Sequence, residues 1–536
     1  MKKVVISMAI AAMFAVTVFA VCVSPVSVDA ADGPDEKYWG QKYEIPNPDP
    51  GATEPDYEYL YDVDWCDGNE ENDSTYILEN ELEFAGLLKL VNEGFNFSGW
   101  TIKLDVASGV LNMSAHRWTP IGTENDPFSG IFDGNNVVIK GIFVGHDIEP
   151  MGFEHIGLFG ALVDGAGQVS IATIKNVVLE DSTFFDINSS SSAIYGGIVG
   201  LNKGSVEKCT VQGNLSFAVY DHDNDGGRIN AMGYLAGGVV GTNDAGTVSY
   251  CRNLSTLSAE GFFTIGGIAG DNDGMVENCY NQSDLSATQA IGGIVGTNNL
   301  EVKNCYNTGN ISNMAEAGDN GAYGGIVGYN YGAVSTCYNT GSIEFTFEMN
   351  NGGGIVGTND ADGSLSSCYN RGAVSGPERD GGSNVGPIIG MDLAEGAKIT
   401  SCYYLSDDNF TEGLSLEKMT GANAFENLVG FERGGWSAKA NEAVNGSNMA
   451  YFPQLIVFTS EDVDQSVRDD SLKSVEVNLG GDGSGGEGGD GDNNGNGNGN
   501  GNGNGNEDDS TLYLAVGTIV AIAVIALLYW FFIYRI

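Results

Sequence analysis

The chain has 536 residues, with 71 acidic against 23 basic side chains, a formal net charge of −48 at pH 7, and 79 glycines. Such a surplus of negative charge repels nucleic acid and anionic membrane surfaces, so neither is an expected partner. Solubility in saline surroundings accounts for it, and cation binding is the functional alternative.

Residues 1–30 read as a secretory signal: Lys2 and Lys3, the apolar run "VVISMAIAAMFAVTVFAVCV", then "VDA" ahead of Ala31. An uncleaved anchor is the alternative reading. Residues 31–75 form an acidic extension. A helix is expected to start at Asn80, which with Glu83 three residues on makes a capping-box-like start. Leu82, Phe84, Leu87, Leu88 and Val91 give that helix an apolar face able to cover whatever follows.

From residue 196 one unit recurs. "GGIVGTNNLEVKNCYNTGNIS" has relatives in "GGIVGLNKGSVEKCTVQGNLS", "GGIAGDNDGMVENCYNQSDLS" and "GGIVGYNYGAVSTCYNTGSI". The leading glycines Gly196, Gly237, Gly266, Gly292, Gly324, Gly353 and Gly386 lie 41, 29, 26, 32, 29 and 33 residues apart. Apolar runs of three or four residues without helical periodicity predict short strands joined by turns. Val302 is expected to point inward and Glu301 outward. Cys305 falls at the wrong offset for continued alternation, which predicts a bend at Asn304, a residue tolerant of left-handed dihedrals. Three strands per turn, stacked in register, give an all-β, right-handed parallel β-helix over 76–402, with a short N-terminal helical cap.

These Gly-Gly-Ile-Val-Gly repeats with trailing Cys-Tyr-Asn-x-Gly resemble the GLUG motif of bacterial and archaeal surface proteins, many of them adhesin-like. "FSGIFDGNNVVIKGI" and "GLFGALVDG" resemble the family's opening coils, and "LEKMTGANAFENLVGFERGGW" with "AYFPQL" its terminator, here within a C-terminal cap region at 403–478. The resemblance implies a β-helix at the cell surface and leaves the ligand open.

Within the longest interval, "DHDNDGG" places Asp221, Asp223 and Asp225 ahead of Gly226, like the first half of an EF-hand calcium loop. The twelfth position is Met232 rather than a bidentate Glu, so a solvated acidic loop is the competing reading. Calcium is the one cofactor the sequence suggests.

Seven cysteines, from Cys209 to Cys402, follow their marker glycines by 13 to 16 residues and form a ladder. Stacked inward, they are expected mostly as free thiols acting as small apolar filler. Secretion argues for disulfides instead.

The four histidines, His116, His146, His155 and His222, form no His-Glu-x-x-His, so no zinc peptidase is expected, although the same repeats occur beside IgA-cleaving metallopeptidases. A polysaccharide-active enzyme remains a minor alternative. Ten Asn-x-Ser/Thr sequons occur, and those inside the repeats, such as Asn281, double as candidates for stacked hydrogen-bonding ladders.

Residues 479–509, rich in Gly and Asn and without apolar side chains after Leu479, read as a flexible tether with a span of roughly 30 Å. Residues 510–536 contain the uncharged run 512–533, long enough for one C-terminal transmembrane helix. The functional expectation is a single-pass, cell-surface repeat protein that binds a host or neighbouring-cell glycan or protein through its lateral surface. Tyr280, Tyr306, Tyr338 and Tyr369, each directly after a ladder cysteine, are the candidate aromatic row, with inward packing as its alternative. A surface spacer without ligand is the second reading.

Overall fold

The computed structural model describes residues 35–45, 56–66, 74–145, 153–165, 171–187, 193–220, 235–260, 264–313, 321–347, 350–377, 384–393, 398–406, 413–431, 435–444, 447–458 and 476–478. All of them lie in the first of two units into which the chain divides, Met1–Gly481. The expected signal, tether and transmembrane run fall outside the described residues. No described helix is long and apolar enough to cross a membrane.

The described residues form an all-β solenoid of stacked parallel sheets. Four sheets run along the stack, of eleven, twelve, eight and eight described strands, and a shorter one of four joins them from Leu285 to Ser375. One coil shows the path: Ala290–Gly292, Val295–Asn298, Glu301–Lys303, Tyr306–Asn307 and Ile311–Asn313, each paired with its counterpart in the next coil. Eleven strands about 4.8 Å apart make this stack about 50 Å long.

The expectation of three strands per turn is corrected to four or five, because the chain bends at more places than the sequence suggested. The first bend follows the marker glycine. A Cβ built on Gly292 would lie 1.7 Å from the carbonyl oxygen of Val295, so the Gly-Gly bend exists because the backbone folds back on itself there. The next follows the buried Asn298. A third sits at Asn304, whose φ of +53° is the left-handed conformation expected for it.

Register places like on like. Val276, Val302, Val334 and Leu365 are successive partners, as are Gly266, Gly292, Gly324 and Gly353. Val302 is 0% exposed and Glu301 half-buried, as alternation required. Each fully buried aliphatic side chain contributes about 1.5–3 kcal/mol relative to exposure, so every coil is held by the apolar layer it shares with its neighbours.

At the N-terminal end the helix Glu81–Asn92 covers the first coil. The Asn80 side chain accepts hydrogen bonds from the amides of Leu82 and Glu83, both at 3.1 Å. The Glu83 carboxylate reaches back to the amide of Glu79 at 2.6 Å. Phe84, Leu87, Leu88 and Val91 are buried, and Phe84 stacks on Trp118 at 5.1 Å. Leu82 departs from expectation: it sits in the first turn facing solvent, 41% exposed. The described part of the acidic extension packs here too. Asp35–Tyr38 pairs with His116–Arg117, and Trp39 and Leu60 are buried in the same core.

Candidate binding surface

The tyrosine row is where alternation puts it, and it is not available. In the four repeats that carry Cys-Tyr-Asn, Cys faces the solenoid core, Tyr faces away from it, and Asn turns back inward. Cys279, Cys305, Cys337 and Cys368 belong to the main core, while Tyr280, Tyr306, Tyr338 and Tyr369 belong to a separate apolar cluster. The four rings lie in parallel at 4.8, 4.9 and 5.0 Å. Met419, Leu428, Phe431, Trp436, Phe452 and Phe458 of the C-terminal segment lie against them, and Tyr369 donates its hydroxyl proton to the carbonyl of Pro453 at 2.9 Å. All four are at most 1% exposed. The expectation of an open aromatic row is therefore corrected: the rings leave the solenoid core and are covered by the chain's own C-terminal segment.

Two asparagine ladders hold the corners on either side. One runs Asn202, Asn243, Asn272, Asn298, Asn330, Asn359, each Nδ2 donating to the next Oδ1 at 2.7–2.9 Å. The other runs Asn253, Asn281, Asn307, Asn339, Asn370 at 2.9–3.1 Å. Buried amides tolerate the dry interior only when paired in this way. Asn253 and Asn281 are sequon residues and 0% exposed, so a glycan on either is incompatible with the fold. Asn96, Asn112, Asn214 and Asn310 are exposed sequon residues.

The eight cysteines among the described residues are free. From Cys209 to Cys368 the ladder is 0% exposed, and the sulfurs of Cys279, Cys305 and Cys337 lie 3.1 Å from the carbonyl oxygens two residues before them. Burial pushes the thiols of Cys209, Cys279 and Cys337 up, well above the ordinary thiol range. They act as inert filler rather than as nucleophiles.

Asp221, Asp223 and Asp225 lie outside the described residues, as do His146 and His222. His116 packs edge-on against Trp39 at 4.6 Å, and burial lowers the pKa of His155. Among the described residues no group of three His, Cys, Asp or Glu side chains is placed to hold a metal ion.

The open lateral face is the outer side of the eleven-stranded sheet. Around each inward Val or Leu stands a pair of flanking side chains: Thr247 and Ser249, Met275 and Glu277, Glu301 and Lys303, Ala333 and Ser335, Ser364 and Ser366. Except for Ser249, which is 8% exposed, these side chains are half-buried. Charges alternate toward the N-terminal end, where Lys175 lies 3.7 Å from Asp133. Burial raises the pKa of Glu277, partly offset by Lys303 beside it. The result is a flat array of hydroxyls and mixed charges repeating at about 4.8 Å. The alternation around Val302 carries the sequence signal for this face.

No family model matches the chain, and no curated protein matches it. Among solved structures it is similar to a "putative immunoglobulin A1 protease" from Bacteroides ovatus, at 17% identity and a TM-score of 0.35, over 70% of this chain and 94% of that one. A likeness at that level carries no argument about activity.

Proposed function

We propose that the chain is a surface repeat protein, a right-handed β-helix anchored by residues 512–533, that binds a glycan or protein of a neighbouring or host cell through the outer face of its eleven-stranded sheet. The observation that carries this reading is the contrast between two faces of one solenoid. The aromatic face is buried by the C-terminal segment, whereas the hydroxyl and mixed-charge face is partly exposed over successive coils among the described residues. Repeated donors and acceptors at a fixed spacing suit an extended ligand, and many anchored copies add weak contacts through effective concentration. Covering the aromatic row favours a second reading, a spacer that holds other molecules away from the surface without a ligand of its own.

Beads coated densely with the purified chain should retain cells or immobilised glycans that the free chain binds weakly. Ser335→Arg with Ser366→Arg, on the open face, should lower that retention at unchanged thermal stability. Failure of coated beads to retain any cell, glycan or matrix protein favours the spacer. Release of shortened oligosaccharides favours a polysaccharide-active enzyme.

A further inference from the structure

At the corner between the sheet that contains Val295–Asn298 and the eleven-stranded sheet, two columns of side chains stand two residues apart, on either side of the inward asparagine ladder. One column holds Asp271, Thr297 and Tyr329, which are successive register partners. The other holds Asp273, Asn299 and Tyr331, and the amides of Asn299 and Tyr331 each bond the ladder carbonyl one coil earlier at 2.8 Å. All six residues lie within the described stretches 264–313 and 321–347. Tyr331 is 44% exposed, Asp273 and Asn299 are exposed, and Asp271, Thr297 and Tyr329 are half-buried. Leu300 adjoins the turn of Tyr331, where its carbonyl accepts from the amide of Ala333 at 2.7 Å, and it is 54% exposed.

We propose that this corner binds a neutral saccharide of one or two rings, seated against Tyr331 and Leu300 with its hydroxyls on Asn299 and the two aspartates. The phenol ring and the leucine offer apolar surface to the C–H side of a sugar ring. One coil away Thr297 and Asn299 supply a hydroxyl and an amide, and two coils away stand the carboxylates. Asp271 accepts from Asn299 Nδ2 at 3.3 Å and from the backbone amide of Asn272. An ionised carboxylate has about four acceptor positions, so Asp271 takes further donors, and sugar hydroxyls are donors.

Size and charge select this ligand class. Three coils by two columns cover about 10 Å by about 7 Å. That suits a sugar ring or two and falls far below the roughly 800 Å² that each partner contributes to a standard protein interface. Neither column holds Lys or Arg from Thr242 to Asp360. Lys203, next along toward the N-terminal end, is engaged with Asp244 and Glu124. Uronic or sialic acids would therefore be repelled. The site is separate from the outer face of the eleven-stranded sheet and does not depend on that face binding anything.

Calorimetry and saturation-transfer NMR of the full chain in mild detergent at pH 7.5 test it. The probes are neutral di- and trisaccharides of glucose, mannose, galactose and N-acetylglucosamine, with oligogalacturonate and tetralysine for comparison. At least one neutral sugar should bind with a dissociation constant of about 1 mM or tighter, and oligogalacturonate should not. Tyr331→Ala should weaken that binding about tenfold or more, and Tyr331→Phe should retain it, since the ring face remains. Asp271→Asn should weaken it likewise in a protein that stays folded. Absence of binding by every neutral sugar overturns the proposal. So does binding indifferent to Tyr331→Ala and Asp271→Asn, or tighter binding of oligogalacturonate or tetralysine than of any neutral sugar.

Discussion

The residue before each ladder cysteine carries the turn that lets Cys and Val face the same core. Lys208, Tyr250, Asn278, Asn304, Thr336, Ser367 and Ser401 all have φ between +52° and +57°. Asn adopts this conformation cheaply, but a β-branched side chain crowds its own backbone there. Thr336 is the costly member of the series. Asn304 also donates through Nδ2 to Asn278 Oδ1 at 3.1 Å, a bond that Asn at 336 would be placed to extend. Thr336→Asn should therefore stabilise the fold by about 1 kcal/mol. A raised urea midpoint would register this, and a lowered one would show that the Thr336 methyl group packs better than the turn is strained.

At the scale of elements, the tyrosine stack joins the solenoid to the C-terminal segment. Tyr338 lies between Tyr306 and Tyr369 and against Trp436, at 6.0 Å. Its removal opens a cavity on the outer side and leaves the Cys and Val layer untouched. Tyr338→Ser should cost about 3–5 kcal/mol of local stability. The loss should fall on the segment 413–458, seen as faster proteolysis within 413–458 while the far-ultraviolet signal of the stack persists. Uniform unfolding of the whole chain would mean that the segment and the stack form one cooperative unit.

The acidic balance of the whole molecule reaches into its structure at Asp271. Burial first, then the neighbouring Asp273 and Asp244 carboxylates, push its pKa up to about 6, although Asn299 Nδ2 donates to it at 3.3 Å. Lys203, the cation in this neighbourhood, is engaged with Asp244 and Glu124, both at 3.1 Å. A carboxyl that binds its proton more tightly folded than unfolded favours the fold below about pH 4, and that contribution is lost as pH rises through about 6. Asp271→Asn should accordingly stabilise the protein at pH 7.5, by about 1–2 kcal/mol after allowance for solvent screening, and change little at pH 4. Denaturant titrations at the two pH values measure the difference. An equal effect at both would assign the gain to hydrogen bonding rather than charge.

The sequence by itself determined the solenoid, its inward layers and the bend at Asn304, because those depend on contacts that recur every coil. Val302, Asn304, Cys305 and Asn281 each carry a role readable from their place in the repeat, since the partner of each is its own counterpart one coil away. The helix cap was legible for the same local reason, from Asn80 and Glu83. The fate of the tyrosines was not. Alternation says that Tyr306 leaves the core, but only the tertiary structure brings Phe458, more than a hundred residues later, onto the ring. The number of strands per turn was likewise settled by backbone folding back at Gly292, which the sequence left open between bend and close approach. Periodic order is written in the chain because every repeat restates it. A covering made by a segment that occurs once has no such restatement, and long-range packing alone decides which face of this solenoid stays open.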